Sequence, residues 1–122
     1  MLHSTASAAL NQPSLSPASY AAGANNGAWV DCSKIKGEIL AAITMGAVTG
    51  SVIFKVQDAT DIGGTGVADI AGVVSASLNT ATSASTLRVP AAGHRGFCRV
   101  VATVTTGPIF LSASLAGHPG IV

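Results

Sequence analysis

SVIFKVQDATDIGGTG, residues 51–66, decides the fold. Its first seven residues alternate. Val52, Phe54 and Val56 fall on one face of an extended chain, and Ser51, Ile53, Lys55 and Gln57 fall on the other. That period of two predicts a half-buried strand. The remainder has the look of a site, with Asp58 and Asp61 followed by a glycine cluster. A phosphate loop needs Gly-x-x-x-x-Gly-Lys-Ser/Thr before a helix. Here GGTGVADI has no lysine and runs into strand-like residues. The dinucleotide pattern Gly-x-Gly-x-x-Gly is absent too. An EF-hand loop needs acidic or amide ligands at alternate positions and a closing Glu, and Asp58, Thr60 and Asp61 supply too few. A weak calcium site completed by carbonyls is the metal alternative. The simpler reading is a strand end and a turn. Asp58 and Thr60 bond nearby backbone, and the glycines take angles that other residues avoid.

Working outward, the same texture repeats. Runs rich in β-branched residues cover 28–32, 37–45, 51–57, 67–74, 84–89, 96–105 and 109–115. Between them lie GAVTG, DATDIGGTG, NTATS, PAAGHRG and TGP, which carry turn chemistry. The 67–74 run is the least regular, and its Gly72 and alanines also suit a bulge. Seven short strands without a long helix predict an all-β antiparallel sandwich, jelly-roll-like in type, over residues 27–122. Alternation puts Cys98, Val100, Ala102 and Val104 on one face, and Ile109, Leu111, Ala113 and Leu115 on one face. The opposite faces are not cleanly polar, since they hold Ile53, Phe97, Val101 and Phe110. A lone subunit would expose these four.

Residues 1–26 read differently. MLHSTASAALNQPSLSPASYAAGANN has no charged side chain, contains Pro13 and Pro17, and follows neither period. It is expected to be an extended N-terminal arm leading away from the sandwich. A free arm so poor in charge would be badly solvated. Leu2, Leu10, Leu15 and Tyr20 are therefore expected to lie on a neighbouring subunit.

Composition points the same way. A chain of 122 residues suits one domain. Only 9% of residues are charged, against ~25% in an average soluble domain. The mean hydropathy is +0.54, with hydrophobic residues at 48%. The most apolar stretch, ILAAITMGAVTGSVIFKV, is broken by Thr44, Gly46, Thr49, Gly50 and Ser51, so no membrane span is expected. The alternative is an assembly subunit with little free surface. Net charge is +1 without a basic run, which argues against nucleic-acid binding. MLHSTASAAL is not patterned as a signal peptide. Cys32 and Cys98 are the only cysteines and suit two small buried thiols, with a disulfide as the alternative for an exported protein.

Candidate chemistry is thin. His3, His94 and His118 are scattered, and no serine occupies a Gly-x-Ser-x-Gly elbow. The acids Asp31, Glu38, Asp58, Asp61 and Asp69 show no catalytic pairing. They are expected to pair with Lys36, Lys55, Arg88, Arg95 or Arg99. No catalytic residue, cofactor or metal ligand is predicted, and a small hydrolase is kept as an alternative from another class. Trp29 and Tyr20 are the only large aromatics with polar tips. A carbohydrate-binding module would use them as open platforms, whereas a core or interface anchor would not. Interface candidates are Leu10, Leu15, Tyr20, Trp29, Ile53, Phe97 and Phe110.

The order VDCSKIKGEILAAITMGAVTGSVIFKVQDATD followed by HRGFCRVVATVT resembles small structural proteins of tailed bacteriophages. Asp31 precedes the first strand. Gln57-Asp58-Ala59-Thr60-Asp61 ends a following one, and Arg95-Gly96-Phe97-Cys98-Arg99-Val100 opens a late one. The resemblance covers residues 27–115. It implies a non-enzymatic capsid decoration (cement) protein, or a tail or head–tail junction component. A homotrimer on the outer capsid surface, bound to the major capsid protein and assembled in the bacterial cytoplasm, is the corresponding expectation.

Overall fold

The computed structural model describes residues 10–33, 35, 37–46, 50–79, 84–90 and 94–117. These form nine strands: β1 Leu10–Tyr20, β2 Gly23–Asn26, β3 Val30–Asp31, β4 Ile39–Met45, β5 Ser51–Ala59, β6 Ala68–Val74, β7 Ala84–Val89, β8 Phe97–Thr105 and β9 Ile109–Gly117. Among the described residues there is no helix. Two antiparallel sheets pack face to face as a β-sandwich. The first runs β1-β9-β4-β7 and the second β2-β8-β5-β6, with β3 also on β8. Successive strands mostly change sheet, so the core is built from residues far apart in the chain.

Alternation places the core. In β4, Ile39, Ala41, Ile43 and Met45 point inward, while Leu40, Ala42 and Thr44 point out. In β5, Val52, Phe54 and Val56 are wholly buried. Cys98, Val100, Ala102 and Val104 of β8, and Ile109, Leu111, Ala113 and Leu115 of β9, complete the two inner faces. Each large side chain removed from water contributes ~1.5–3 kcal/mol before entropy is counted. Val101 departs from the expectation of exposure and is buried. It lies in the central strand β8, with Lys55 and Asn26 directly across on either side. A central strand is flanked on both sides, and these two are its direct cross-strand neighbours on that face.

All seven expected strands are present, and β6 is bulged. Residues 55–57 of β5 are matched by residues 69–74 of β6, and Gly72 has φ +78°.

The expected arm does not hold for residues 10–26. β1 pairs with β9 along its length, from Leu10 opposite Gly117 to Tyr20 opposite Ile109, and β2 pairs with β8. The physical reason is an edge position. Prolines cannot donate to a ladder and are tolerated only where one side of the strand is free, and β1 is such a strand. Two register shifts, between Pro13 and Leu15 and between Leu15 and Ala18, erase the alternation. Leu15, expected on a neighbour, is 2% exposed in the sandwich's own core.

Ser14 closes this side of the sandwich. Its hydroxyl donates to the carbonyl of Ala28 (2.9 Å) and accepts from the amide of Val100 (2.9 Å). The Ala28 amide donates to the Ser14 carbonyl at 2.7 Å. Gly27 fits only because it lacks a side chain. A Cβ there would run into Ser14 Oγ and lie 2.6 Å from the Val100 carbonyl.

Candidate functional site

The turn at 58–66 resolves into two unlike halves. Asp58 is buried at the end of β5 and takes a salt bridge from Arg95 Nη2 at 2.8 Å. The Arg95 amide also donates to Asp58 Oδ2 (3.0 Å), and Nη2 reaches the Gly66 carbonyl (2.6 Å). That contact with Asp58 raises the Arg95 pKa further. Asp58 thus ties β5 to the turn before β8. Asp61 is exposed and organises only its own turn. Its Oδ1 accepts from the amides of Gly63 (2.9 Å) and Thr65 (3.2 Å). Hydrogen bonds from Thr65, then from the amides of Gly63 and Gly64, hold its carboxyl below the usual range. Gly64 and Gly66 have φ of +83° and +69°. Among the described residues no three His, Cys, Asp or Glu side chains gather as a metal would need.

A polar ladder crosses the outer face of the second sheet. Lys55 Nζ lies 3.2 Å from Asp69, and Gln57 Nε2 donates to the same carboxylate at 2.8 Å. Those bonds, Gln57's first, hold Asp69 below its usual pKa. Arg99 Nε and Nη2 donate to Gln57 Oε1 at 3.0 and 2.8 Å. The Arg99 guanidinium then stacks 4.5 Å over the Trp29 ring. The far edge of Trp29 meets Gly64, where an added Cβ would lie 2.7 Å from Nε1. Trp29 is therefore a pin between ladder and turn, with Arg99 over one face of its ring.

The outer face of the first sheet is of another kind. Leu40, Ala42 and Thr44 of β4 lie beside Ala116, Ser114 and Ser112 of β9. Phe110 stands at the end of this face and is 55% exposed. The charges described near it are Glu38 and Arg88, paired with each other at 3.1 Å. Arg88 of β7 lies opposite Leu40, and the described residues opposite Ala42 and Thr44 are uncharged.

The structure scatters the seven interface candidates. Leu15 is core. Tyr20 is half-buried against the core, its hydroxyl donating to the Ser16 carbonyl at 2.7 Å. Trp29 is pinned, and Phe97 is half-buried between Asp31 and Ala59. Leu10 pairs with Gly117 at the start of β1. Ile53 and Phe110 are exposed, on the outer faces of opposite sheets. Sequence reading missed Leu40, 38% exposed beside the small-residue face. The period-two rule applied to ILAAITM would have placed it outward. Val74, Val67 and Ile62 are exposed near β6 and the turn, where irregular backbone hides any period.

Cys32 and Cys98 are both buried and unbonded. Their thiols touch, and the contact together with burial pushes the Cys98 thiol far above its usual range. The same contact shifts the Cys32 thiol the other way, below its usual range. His94 Nδ1 accepts from the Gly96 amide at 3.1 Å. No family model matches the chain, and no curated protein matches it either.

Proposed function

We propose that this protein is a non-enzymatic virion component: a decoration (cement) subunit that binds the outside of a bacteriophage capsid as a homotrimer. The observation that carries the proposal is the outer face of the first sheet. It is broad, built from small residues, nearly without charge, and edged by Leu40 and Phe110. Such a face sets Leu40 and Phe110 on a ground of small side chains, over which another protein can approach closely. The major capsid protein is the proposed partner. Each Å² of apolar surface removed from water contributes ~25 cal/mol before association costs. Contacts repeated over a shell would add to its resistance against internal pressure.

The strand order supports the same class. Taken as one interrupted strand, β2 and β3 leave eight strands ordered 1-8-3-6 and 2-7-4-5. We read this as a jelly roll, an arrangement used by viral capsid proteins and lectins alike. This support is analogy at the level of fold. The covered face of Trp29 weighs against the lectin branch.

Mass spectrometry of purified particles of the phage that encodes the chain tests the proposal. Decoration requires a copy number comparable to that of the major capsid protein. A few copies per particle would move the protein to the tail or head–tail junction. Absence from the particle would overturn the reading.

A further inference from the structure

The four sheet edges are not equally protected. An edge strand with free amides and carbonyls pairs with other strands unless something blunts it. β1 carries Pro13 and Pro17, two register shifts, and the Ser14 junction that ties it to residue 28. β2 and β3 are four and two residues long and interrupted between Asn26 and Val30. β6 is bulged at Gly72 and carries the Lys55–Asp69 ion pair beside its ladder. β7 shares only the last of these devices, an ion pair between Arg88 and Glu38 at 3.1 Å. It runs six residues in unbroken register with β4, without proline. Among the described residues no strand pairs with its other side.

We propose that the free edge of β7 pairs antiparallel with β7 of a second copy of this chain, joining two first sheets into one of eight strands. The occupant follows from register. A two-fold axis normal to the sheet keeps the inner faces of both copies inward. Residues opposite one another must then share a face, so the axis passes through a residue position. Centring on Leu87 sets Leu87 against Leu87, Thr86 against Arg88 and Ser85 against Val89. Arg88 never meets Arg88. Leu87 is the half-buried member of the inner face, beside fully buried Val89. A second Leu87 directly across the new seam would cover what the core leaves open. The pairing does not rest on the virion reading. Within a trimeric decoration protein it would link one trimer to the next.

Hydrogen exchange on the wild-type chain tests this directly. Raising the protein concentration a hundredfold should slow exchange across residues 84–90 at least tenfold and leave β1 and β6 unchanged. Leu87→Cys should form a covalent dimer under copper–phenanthroline, whereas Thr86→Cys, facing position 88, should form at least fivefold less. Exchange at 84–90 that ignores concentration would overturn the pairing. Equal crosslinking at both positions would overturn the Leu87 register. Either failure leaves the capsid proposal standing, and absence from virions leaves the pairing standing.

Discussion

The two long sides of the sandwich are finished differently. On one side Ser14 spans the gap between sheets, bonding Ala28 and Val100, and Gly27 lets the backbones approach. The Ser14 hydroxyl and carbonyl and the amides of Gly27, Ala28 and Val100 all have partners inside the chain. On the other side β7 ends a sheet with six regular residues and, among the described residues, no proline, bulge or register shift. The difference separates a side closed within the chain from the side on which we propose pairing. Substitutions at the sealed side should cost stability. Substitutions at the open side, and on the bare outer face beside it, should cost association.

The sharpest way to break the comparison is Gly27→Ala. A Cβ there collides with Ser14 Oγ and with the backbone carbonyls of Ser14 and Val100, none of which moves freely. We expect a loss of about 3 kcal/mol, measured by urea unfolding. A loss under ~0.5 kcal/mol would show that the seam is loose. Ser14→Ala comes next. It strands a buried amide and a carbonyl without adding bulk, for about 2 kcal/mol. Ser14→Cys should recover little, because a thiol is a weak hydrogen-bonding group.

That seam also shows what the sequence could and could not tell. Seven strands were legible because their inward residues recur every second position and Gly, Pro and Asn punctuate them. β1 was not, because its inward residues Ser14 and Leu15 are adjacent at a register shift and its prolines imitate a linker. No local signal marks Ser14 as buried, since its partners lie 14 and 86 residues away. The interface candidates were chosen for size and apolarity alone. That rule finds Phe110 and Ile53, but it takes Leu15 from the core and overlooks Leu40. The quality of the bare face lies in Ala, Ser and Thr, which no search for large residues detects.

Asp58 and Asp61, indistinguishable in the sequence, give an intermediate effect. Asp58→Ala removes the carboxylate that holds Arg95 and its amide. Because Arg95 is 42% exposed, water takes over part of the loss, and about 1–2 kcal/mol is expected. Asp61→Ala frees only an exposed turn and should leave the urea midpoint close to that of the wild type. Equal losses would mean that Asp58 does not anchor the turn to β5. On the bare face, Phe110→Ser and Leu40→Ser should change thermal stability by no more than ~0.5 kcal/mol, yet weaken attachment to capsids at least tenfold. A large stability loss with attachment intact would reassign that face to folding.

Acid is the mildest test and reads the ladder face. Asp69 accepts from Gln57 and Lys55, and Asp61 accepts from Thr65 and its neighbours, so both carboxyls ionise at lower pH in the folded chain than in the unfolded one. A depressed carboxyl contributes its full stability above the unfolded value of about 3.9. The contribution is lost as pH falls through the lower, folded value, because the unfolded chain binds the proton first. Stability should therefore be flat from pH 7 to about pH 5 with respect to these groups, and should decline below about pH 4. Both groups are exposed, so the decline is shallow and is further reduced by salt. Asp69→Asn should flatten it, while Ser14→Ala should lower the whole curve without changing its shape. If Asp69→Asn leaves the acid limb untouched, the ladder is an ornament of the surface and does not help to hold β6 to β5.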